Sequence, residues 1–135
     1  MDPESSTSAR CTVLVVDDEP GIRESLREVL SMEGYRIVEA GDGEEALARL
    51  DRVQERCVML LDLAMPRMSG TEVLAELSRR GQTDRTPVLV MSANAQPRDL
   101  DFPQVVALLR KPFELDELLR WVEVCCRPAE PSDGP

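Results

Sequence analysis

Five short runs rich in apolar residues punctuate the chain, and turn-forming or polar residues follow each of them. They occupy residues 11–16, 35–40, 58–61, 87–91 and 105–109. Runs of this length that are bounded by turn residues are typical of strands buried in a parallel sheet. The pattern therefore predicts five strands.

The segments between these runs repeat apolar residues at helical spacing. Residues that favour helix ends bound them. The predicted helices begin at Pro20, follow Asp42 and Ser69-Gly70, and in the last case run from about Glu114 to Cys126. The exception is residues 96–104, where Pro97 and Pro103 leave space for one or two helical turns at most.

Strands and helices alternate, which predicts an α/β fold with helices on both faces of the sheet. We expect a flavodoxin-like, doubly wound, five-stranded parallel sheet of order 2-1-3-4-5 with a short or irregular fourth helix. One domain is expected over residues 11–126, with a disordered leader at 1–10 and a disordered tail at 127–135.

Composition narrows the functional classes. The formal net charge of −10 argues against direct nucleic-acid binding. No apolar run is long enough for membrane insertion and no signal-peptide pattern is present, so we expect a soluble, cytoplasmic protein. The sequence contains no histidine, which excludes Ser-His-Asp catalysis, imidazole metal sites and a phosphohistidine donor.

The four cysteines, Cys11, Cys57, Cys125 and Cys126, lack the spacing of metal ligands. We expect them to be reduced residues in or near the core. A redox switch at the vicinal pair Cys125-Cys126 is the weaker alternative.

The candidate chemistry lies where strands end. Asp62 ends the third apolar run, and Asp17 and Asp18 follow the first. In the predicted strand order these two strands are neighbours, and ligands bind beyond the carboxyl ends of such sheets. Ser92 and Lys111 occupy the same ends of the fourth and fifth strands.

Each residue also has a simpler interpretation. Asp17 or Asp18 could cap the helix at Pro20, while Asp62 and Ser92 could serve local turns. Lys111 could be a solvated surface charge. It is, however, the only lysine among 16 basic residues, and a compact ammonium differs chemically from the planar guanidinium of arginine.

Three converging carboxylates repel one another unless a cation is present. A hard divalent ion that takes carboxylate, carbonyl and water oxygens resolves the repulsion, and Mg²⁺ is the expected choice. With Mg²⁺ and Lys111 screening charge, Asp62 could attack phosphorus in line and form an acyl phosphate, while Ser92 donates a hydrogen bond to a phosphoryl oxygen.

In these motifs the chain resembles the receiver domains of two-component response regulators over roughly residues 11–126. The matching segments are Val13-Leu14-Val15-Val16-Asp17-Asp18-Glu19, Asp62-Leu63-Ala64-Met65-Pro66-Arg67-Met68-Ser69-Gly70, Met91-Ser92-Ala93 and Lys111-Pro112-Phe113. Together, in this order and spacing, they are highly specific.

The resemblance implies a role for each matching residue. Asp62 would be the phosphoacceptor, Asp18 a direct Mg²⁺ ligand, Asp17 a ligand through water, and the Ala64 backbone carbonyl the remaining protein ligand. Ser92 would move onto the phosphoryl group and Lys111 would pair with it. The Lys111-Pro112 bond is often cis in the family.

The resemblance also implies partners. A histidine kinase or a histidine phosphotransfer protein would donate the phosphoryl group, and an unknown downstream protein would respond; a weak homodimer is a further expectation. Because the tail offers no room for a DNA-binding effector, we expect a stand-alone regulator, a phosphorelay intermediate, or a receiver from a hybrid kinase or longer regulator. Such a domain is no enzyme beyond its own phosphorylation and dephosphorylation.

Two departures concern the output. Leu108 stands where the family usually has Tyr or Phe, and the interval from Ser92 to Lys111 is a few residues shorter than expected. They favour an alternative, a degenerate receiver that binds partners without phosphorylation. A Mg²⁺-dependent aspartyl phosphatase is disfavoured by Ala64, since its acid/base carboxylate would stand there. A flavodoxin-like cofactor carrier is disfavoured because no Gly-rich or hydroxyl-rich loop follows the first strand.

Overall fold

The computed structural model describes residues 11–53, 56–81 and 85–126. The predicted leader at 1–10 and tail at 127–135 lie outside the described residues. The strands are β1 (Thr12–Val16), β2 (Arg36–Ala40), β3 (Cys57–Asp62), β4 (Val88–Ser92) and β5 (Val105–Arg110). The helices are α1 (Pro20–Met32), α2 (Gly43–Leu50), α3 (Gly70–Arg79) and α4 (Leu115–Cys126), and a 3₁₀ helix spans Pro97–Leu100.

The described strands form one parallel sheet of order β2-β1-β3-β4-β5. This confirms the predicted fold and strand order. Every residue of the three central strands β1, β3 and β4 is buried, as their apolar sequences require. From β1 the chain adds β2 on one side and then β3 on the other, so the direction of strand addition reverses between β1 and β3. Doubly wound sheets bind ligands at this point.

Two apolar clusters cover the two faces of the sheet. One contains Leu26 and Leu30 of α1 with Leu118 and Val122 of α4. The other contains residues of α2 and α3, namely Ala46, Leu47, Leu50, Val73, Leu74 and Leu77. Alternate strand residues supply each cluster, so the helices lock the sheet between two layers.

The segment between β4 and β5 is as short as the two prolines predict. It forms only the 3₁₀ helix, whose first residue is Pro97. Leu100, Phe102 and Leu108 are partly buried against the α2–α3 cluster. Leu108 therefore points into this layer with two other apolar side chains, and Phe102 brings an aromatic ring to the same cluster.

The expectation of four reduced cysteines is wrong for two of them. Cys11 and Cys126 form a disulfide with a Cα–Cα distance of 5.9 Å. The start of β1 and the end of α4 meet on one face of the sheet, which brings these distant residues within bonding range. Cys57 and Cys125 are buried thiols outside this disulfide, as expected. The bridge therefore uses Cys126 with Cys11, and not the vicinal pair.

The described part of the chain contains no helix that is both long enough and apolar enough to cross a membrane.

Candidate phosphoacceptor site

Strand register brings the five predicted residues to one edge of the sheet. In β1 and β3, Val16 pairs with Leu61, so Asp17 and Asp62 follow side by side. In β4 and β5, Ser92 pairs with Arg110. The Lys111 N–H donates to the Ser92 carbonyl over 3.0 Å, which fixes these two residues next to each other.

The carboxylates of Asp17, Asp18 and Asp62 form a compact cluster. One oxygen from each lies within 4.8 Å of the others. Asp17 and Asp62 are only 0% and 5% exposed, whereas Asp18 is exposed. Buried and clustered carboxylates of this kind suit a hard divalent cation, and the exposed Asp18 leaves the cluster open to solvent.

Lys111 lies close to both buried carboxylates. Its Nζ lies 3.3 Å from Asp17 Oδ2 and 3.6 Å from Asp62 Oδ2. Burial by itself lowers the pKa of Lys111, but Asp17 and Asp62 outweigh it and raise the pKa above its ordinary value. Lys111 is therefore a fixed cation inside the site, and not the solvated surface charge of the simpler interpretation.

The surroundings of Asp62 act on its pKa in opposite directions. Burial raises its pKa above the ordinary value, and Asp17 and Asp18 add to this, while the Ala64 N–H and Lys111 act in the opposite direction. A cation in the cluster would remove the net penalty on the ionised form. A carboxylate can act as a nucleophile only in its ionised form.

Three side chains of the site also make hydrogen bonds within local turns. Asp62 Oδ1 accepts from the Ala64 N–H over 3.1 Å, and Ser92 Oγ accepts from the Asn94 N–H over 3.1 Å. Asp17 Oδ1 accepts from the Glu19 N–H over 2.9 Å. The simpler interpretations of Asp62 and Ser92 as turn residues therefore hold, and the same bonds orient these side chains toward the site. Glu19, and not Asp17 or Asp18, occupies the N-cap position of α1, where it makes no side-chain capping hydrogen bond.

A cavity of about 470 Å³ opens over the cluster. It is lined by Asp18, Asp62, Ala64, Ser92 and Lys111 together with residues that sequence reasoning missed, chiefly Thr71, Asn94 and Asp99. Thr71 is the second residue of α3 and Asp99 lies in the 3₁₀ helix. Their positions depend on how the connections fold, which apolar periodicity does not report.

Arg23 was also missed. Its Nη1 donates to the Asp17 carbonyl over 2.6 Å, and its Nε lies 3.3 Å from Glu39 Oε1. Arg23 thus ties α1 to the end of β1 and to β2. No local sequence pattern distinguishes it from the other arginines. The peptide bond Lys111-Pro112 is cis, as the resemblance implies.

Comparisons with known proteins agree with this geometry. The sequence matches the family model described as the response regulator receiver domain over residues 13–123. It is 41% identical over 131 residues to the response regulator MprA of Mycobacterium tuberculosis, covering 90% of this chain and 53% of that protein. The chain thus spans about half the length of the curated relatives it matches.

Solved structures show the same similarity. Chemotaxis protein CheY4 of Vibrio cholerae is 30% identical, with a TM-score of 0.76 and coverage of 88% of this chain and 99% of that one. Response regulator TrrA of Thermotoga maritima, in complex with Mg(2+)-BeF, is 35% identical, with a TM-score of 0.72 and coverage of 84% and 97%.

Proposed function

This chain belongs to the receiver domains of two-component response regulators, and we propose that it accepts a phosphoryl group on Asp62. The observation that carries the proposal is the cluster of Asp17, Asp18 and Asp62 oxygens with Lys111 Nζ 3.6 Å from Asp62 Oδ2. A nucleophile, a cation site and a fixed positive charge in one open cavity suit phosphoryl transfer.

Three side chains of this chain would each have a role in the phosphoryl transfer. An Asp62 carboxylate oxygen attacks phosphorus, a P–O bond forms, and the P–N bond to the donor's imidazole breaks. Lys111 offsets the charge of the phosphoryl oxygens from the side of Asp17. Ser92, whose Oγ accepts from the Asn94 N–H in this structure, turns its hydroxyl to donate to a phosphoryl oxygen.

Mg²⁺ is the proposed cofactor. Asp18 would ligate it directly, Asp17 through water, and Asp62 and the Ala64 backbone carbonyl would complete the protein ligands. The all-oxygen cluster fits the preference of this ion. When bound, Mg²⁺ supplies charge stabilisation for the transferred phosphoryl group. The relative TrrA is in complex with Mg(2+)-BeF, which supports this assignment.

The proposed donor is a histidine kinase or a histidine phosphotransfer protein, in the cytoplasm. The chain has no histidine, so the phosphohistidine must belong to the partner. The domain would catalyse only its own phosphorylation and dephosphorylation and switch binding of a downstream protein. We propose residues 11–126 as the domain.

A specific observation favours one alternative, a degenerate receiver that binds partners without phosphorylation. Leu108 is partly buried beside Leu100 and Phe102, and only a 3₁₀ helix precedes β5. Switching through an aromatic residue at this position is therefore unavailable. Partner affinity that is the same with and without beryllofluoride would establish this alternative.

The proposal is tested by incubating the protein with acetyl phosphate and following its intact mass. We expect one phosphoryl group per chain in the presence of Mg²⁺ and none after chelation with EDTA. Label of equal extent with EDTA would contradict the proposed metal dependence. A wild-type protein that takes up no label under either condition would overturn the proposal.

A further inference from the structure

The segment 63–69 forms a closed loop directly after Asp62. The Gly70 N–H donates to the Leu63 carbonyl over 3.0 Å and closes the neck of the loop. A Cβ at Gly70 would lie 2.5 Å from the Asp62 carbonyl oxygen, so the neck is packed against the end of β3. Leu63 and Ala64 line the cavity. The conformation of this loop therefore determines where Ala64 sits.

An ion pair fastens the far end of the loop to α2. Arg67 Nη2 lies 2.6 Å from Asp42 Oδ2. Asp42 is the N-cap of α2, where its Oδ1 accepts from the Glu45 N–H over 2.9 Å. The two oxygens of one carboxylate thus hold the helix end and the loop at the same time. The hydrogen bond from Arg67 keeps the pKa of Asp42 below its ordinary value.

Two further features distinguish this pair from other surface ion pairs of the chain. Arg67 has a φ of 63°, in the left-handed region that residues with a Cβ seldom adopt. A Cβ at Gly43 would lie 2.8 Å from the Met68 carbonyl oxygen, so the loop backbone presses against the first residue of α2. The ion pair therefore lies at a close contact, and it holds Arg67 in a backbone conformation that would otherwise relax.

We infer that Asp42 and Arg67 are positioning residues, which hold the loop so that the Ala64 backbone faces the acidic cluster and so strengthen the binding of the divalent cation. The inference rests on the proposed function for the role of Ala64. Neither residue belongs to the cluster or lines its cavity. Their effect passes through the loop.

Paired substitutions test this inference. Arg67→Asn removes the guanidinium but keeps a residue that tolerates left-handed backbone. Asp42→Asn keeps an oxygen for the cap of α2 but removes the charge. Calorimetric titration with Mg²⁺ alone should show the dissociation constant rising about two- to fivefold in each single variant, the range for exposed ion pairs. The double variant should be no weaker than either single one, because both remove the same contact.

A matched control is Arg49→Gln. It breaks an ion pair between Arg49 and Glu45 on the same helix, which is 3.0 Å long and exposed, but which does not touch the loop. Its affinity for Mg²⁺ should equal that of the wild type. Amide exchange at Ala64 should accelerate in the Arg67 and Asp42 variants only, with unfolding by urea changed no more than in the control.

The possible results distinguish a failure of this inference from a failure of the proposed function. Equal Mg²⁺ affinity in wild type and loop variants, additive losses in the double variant, or an equal loss in Arg49→Gln would overturn the inference. A wild type that fails to bind Mg²⁺ would overturn it as well. A wild type that binds Mg²⁺ but takes up no phosphoryl group from acetyl phosphate would overturn the proposed function, while the affinities still decide the role of the loop.

Discussion

At the scale of single residues, the site is a balance among a few buried charges. Asp17 and Asp62 are almost fully buried, and the charge that offsets them directly is Lys111, within 3.6 Å of both. The cluster therefore holds more negative charge than one ammonium can neutralise. The carboxylates therefore repel one another in the ion-free site, and a bound cation would stabilise their ionised forms.

The raised pKa of Asp62 predicts that the wild type is less stable than Asp62→Asn at neutral pH without Mg²⁺. Between the unfolded-state pKa near 3.8 and the raised folded-state pKa, the native protein binds more protons, so its stability falls as pH rises. The stability difference between the wild type and Asp62→Asn should be small below this pH window and should reach its full size above it. Urea unfolding across pH measures it, with Glu28→Gln as an exposed control. Added Mg²⁺ should stabilise the wild type more than Asp62→Asn; an Asp62→Asn variant less stable than wild type at pH 7 would contradict the account.

A second residue-scale prediction concerns Lys111. Lys111→Met keeps the aliphatic stem but removes the cation beside the wholly buried Asp17. An unsatisfied buried group of this kind costs about 1–3 kcal/mol, so the free energy of unfolding should fall by that amount at pH 7. The neighbouring Arg110 is exposed, and Arg110→Met should change stability by less than about 0.5 kcal/mol. Equal effects of both variants would mean that Lys111 is only a surface charge.

At the scale of elements, close contacts at two glycines fix the turns around the site. Gly70 and Gly43 lie where a Cβ would meet backbone atoms within 2.8 Å. Both are the first residues of helices. The helices α2 and α3 therefore begin in direct contact with the loop that follows Asp62.

This contact predicts opposite effects of two Gly→Ala changes. Gly70→Ala forces a methyl group against the Asp62 carbonyl oxygen and should destabilise the fold by about 1–3 kcal/mol, as overpacking does. Gly21→Ala has no atom within 4 Å of the new Cβ and should stabilise α1 by about 0.4–1 kcal/mol. Urea unfolding of both variants measures this. Two changes of the same sign would show that the close approach at Gly70 does not control the fold.

Sequence reasoning succeeds for elements and fails for what connects them. The strands, helices and strand order follow from apolar periodicity, and strand ends then place Asp17, Asp62, Ser92 and Lys111 at one edge. The left-handed backbone of Arg67 and its bond to Asp42 depend on a loop packed against a distant helix. The approach of Asp99 to the cavity depends on the 3₁₀ helix. No local propensity encodes such contacts.

At the scale of the whole molecule, the disulfide joins the two ends of the described domain. Cys11 and Cys126 are 115 residues apart, so the reason they escaped prediction is that only the complete fold brings them together. The bridge lies at the amino-terminal edge of the sheet, opposite the acidic cluster. Its effect should therefore be on stability and not on the chemistry of the site.

Reduction of this bridge should lower the free energy of unfolding by up to about 5 kcal/mol, because it frees a loop of 115 residues in the unfolded chain. Urea unfolding with and without dithiothreitol measures the loss. Cys126→Ser should match the reduced wild type and should not respond to dithiothreitol. A wild type that is insensitive to dithiothreitol would contradict the bridge.

The identity of the phosphorylated residue decides the central claim. After incubation with acetyl phosphate and Mg²⁺, borohydride reduces an aspartyl phosphate to homoserine, which peptide mass spectrometry locates. The account predicts homoserine at position 62 in the wild type, and none there when phosphodonor or Mg²⁺ is omitted. Homoserine at Asp17 or Asp18 in its place, or an unmodified Asp62 in protein that carries a phosphoryl group, would contradict it.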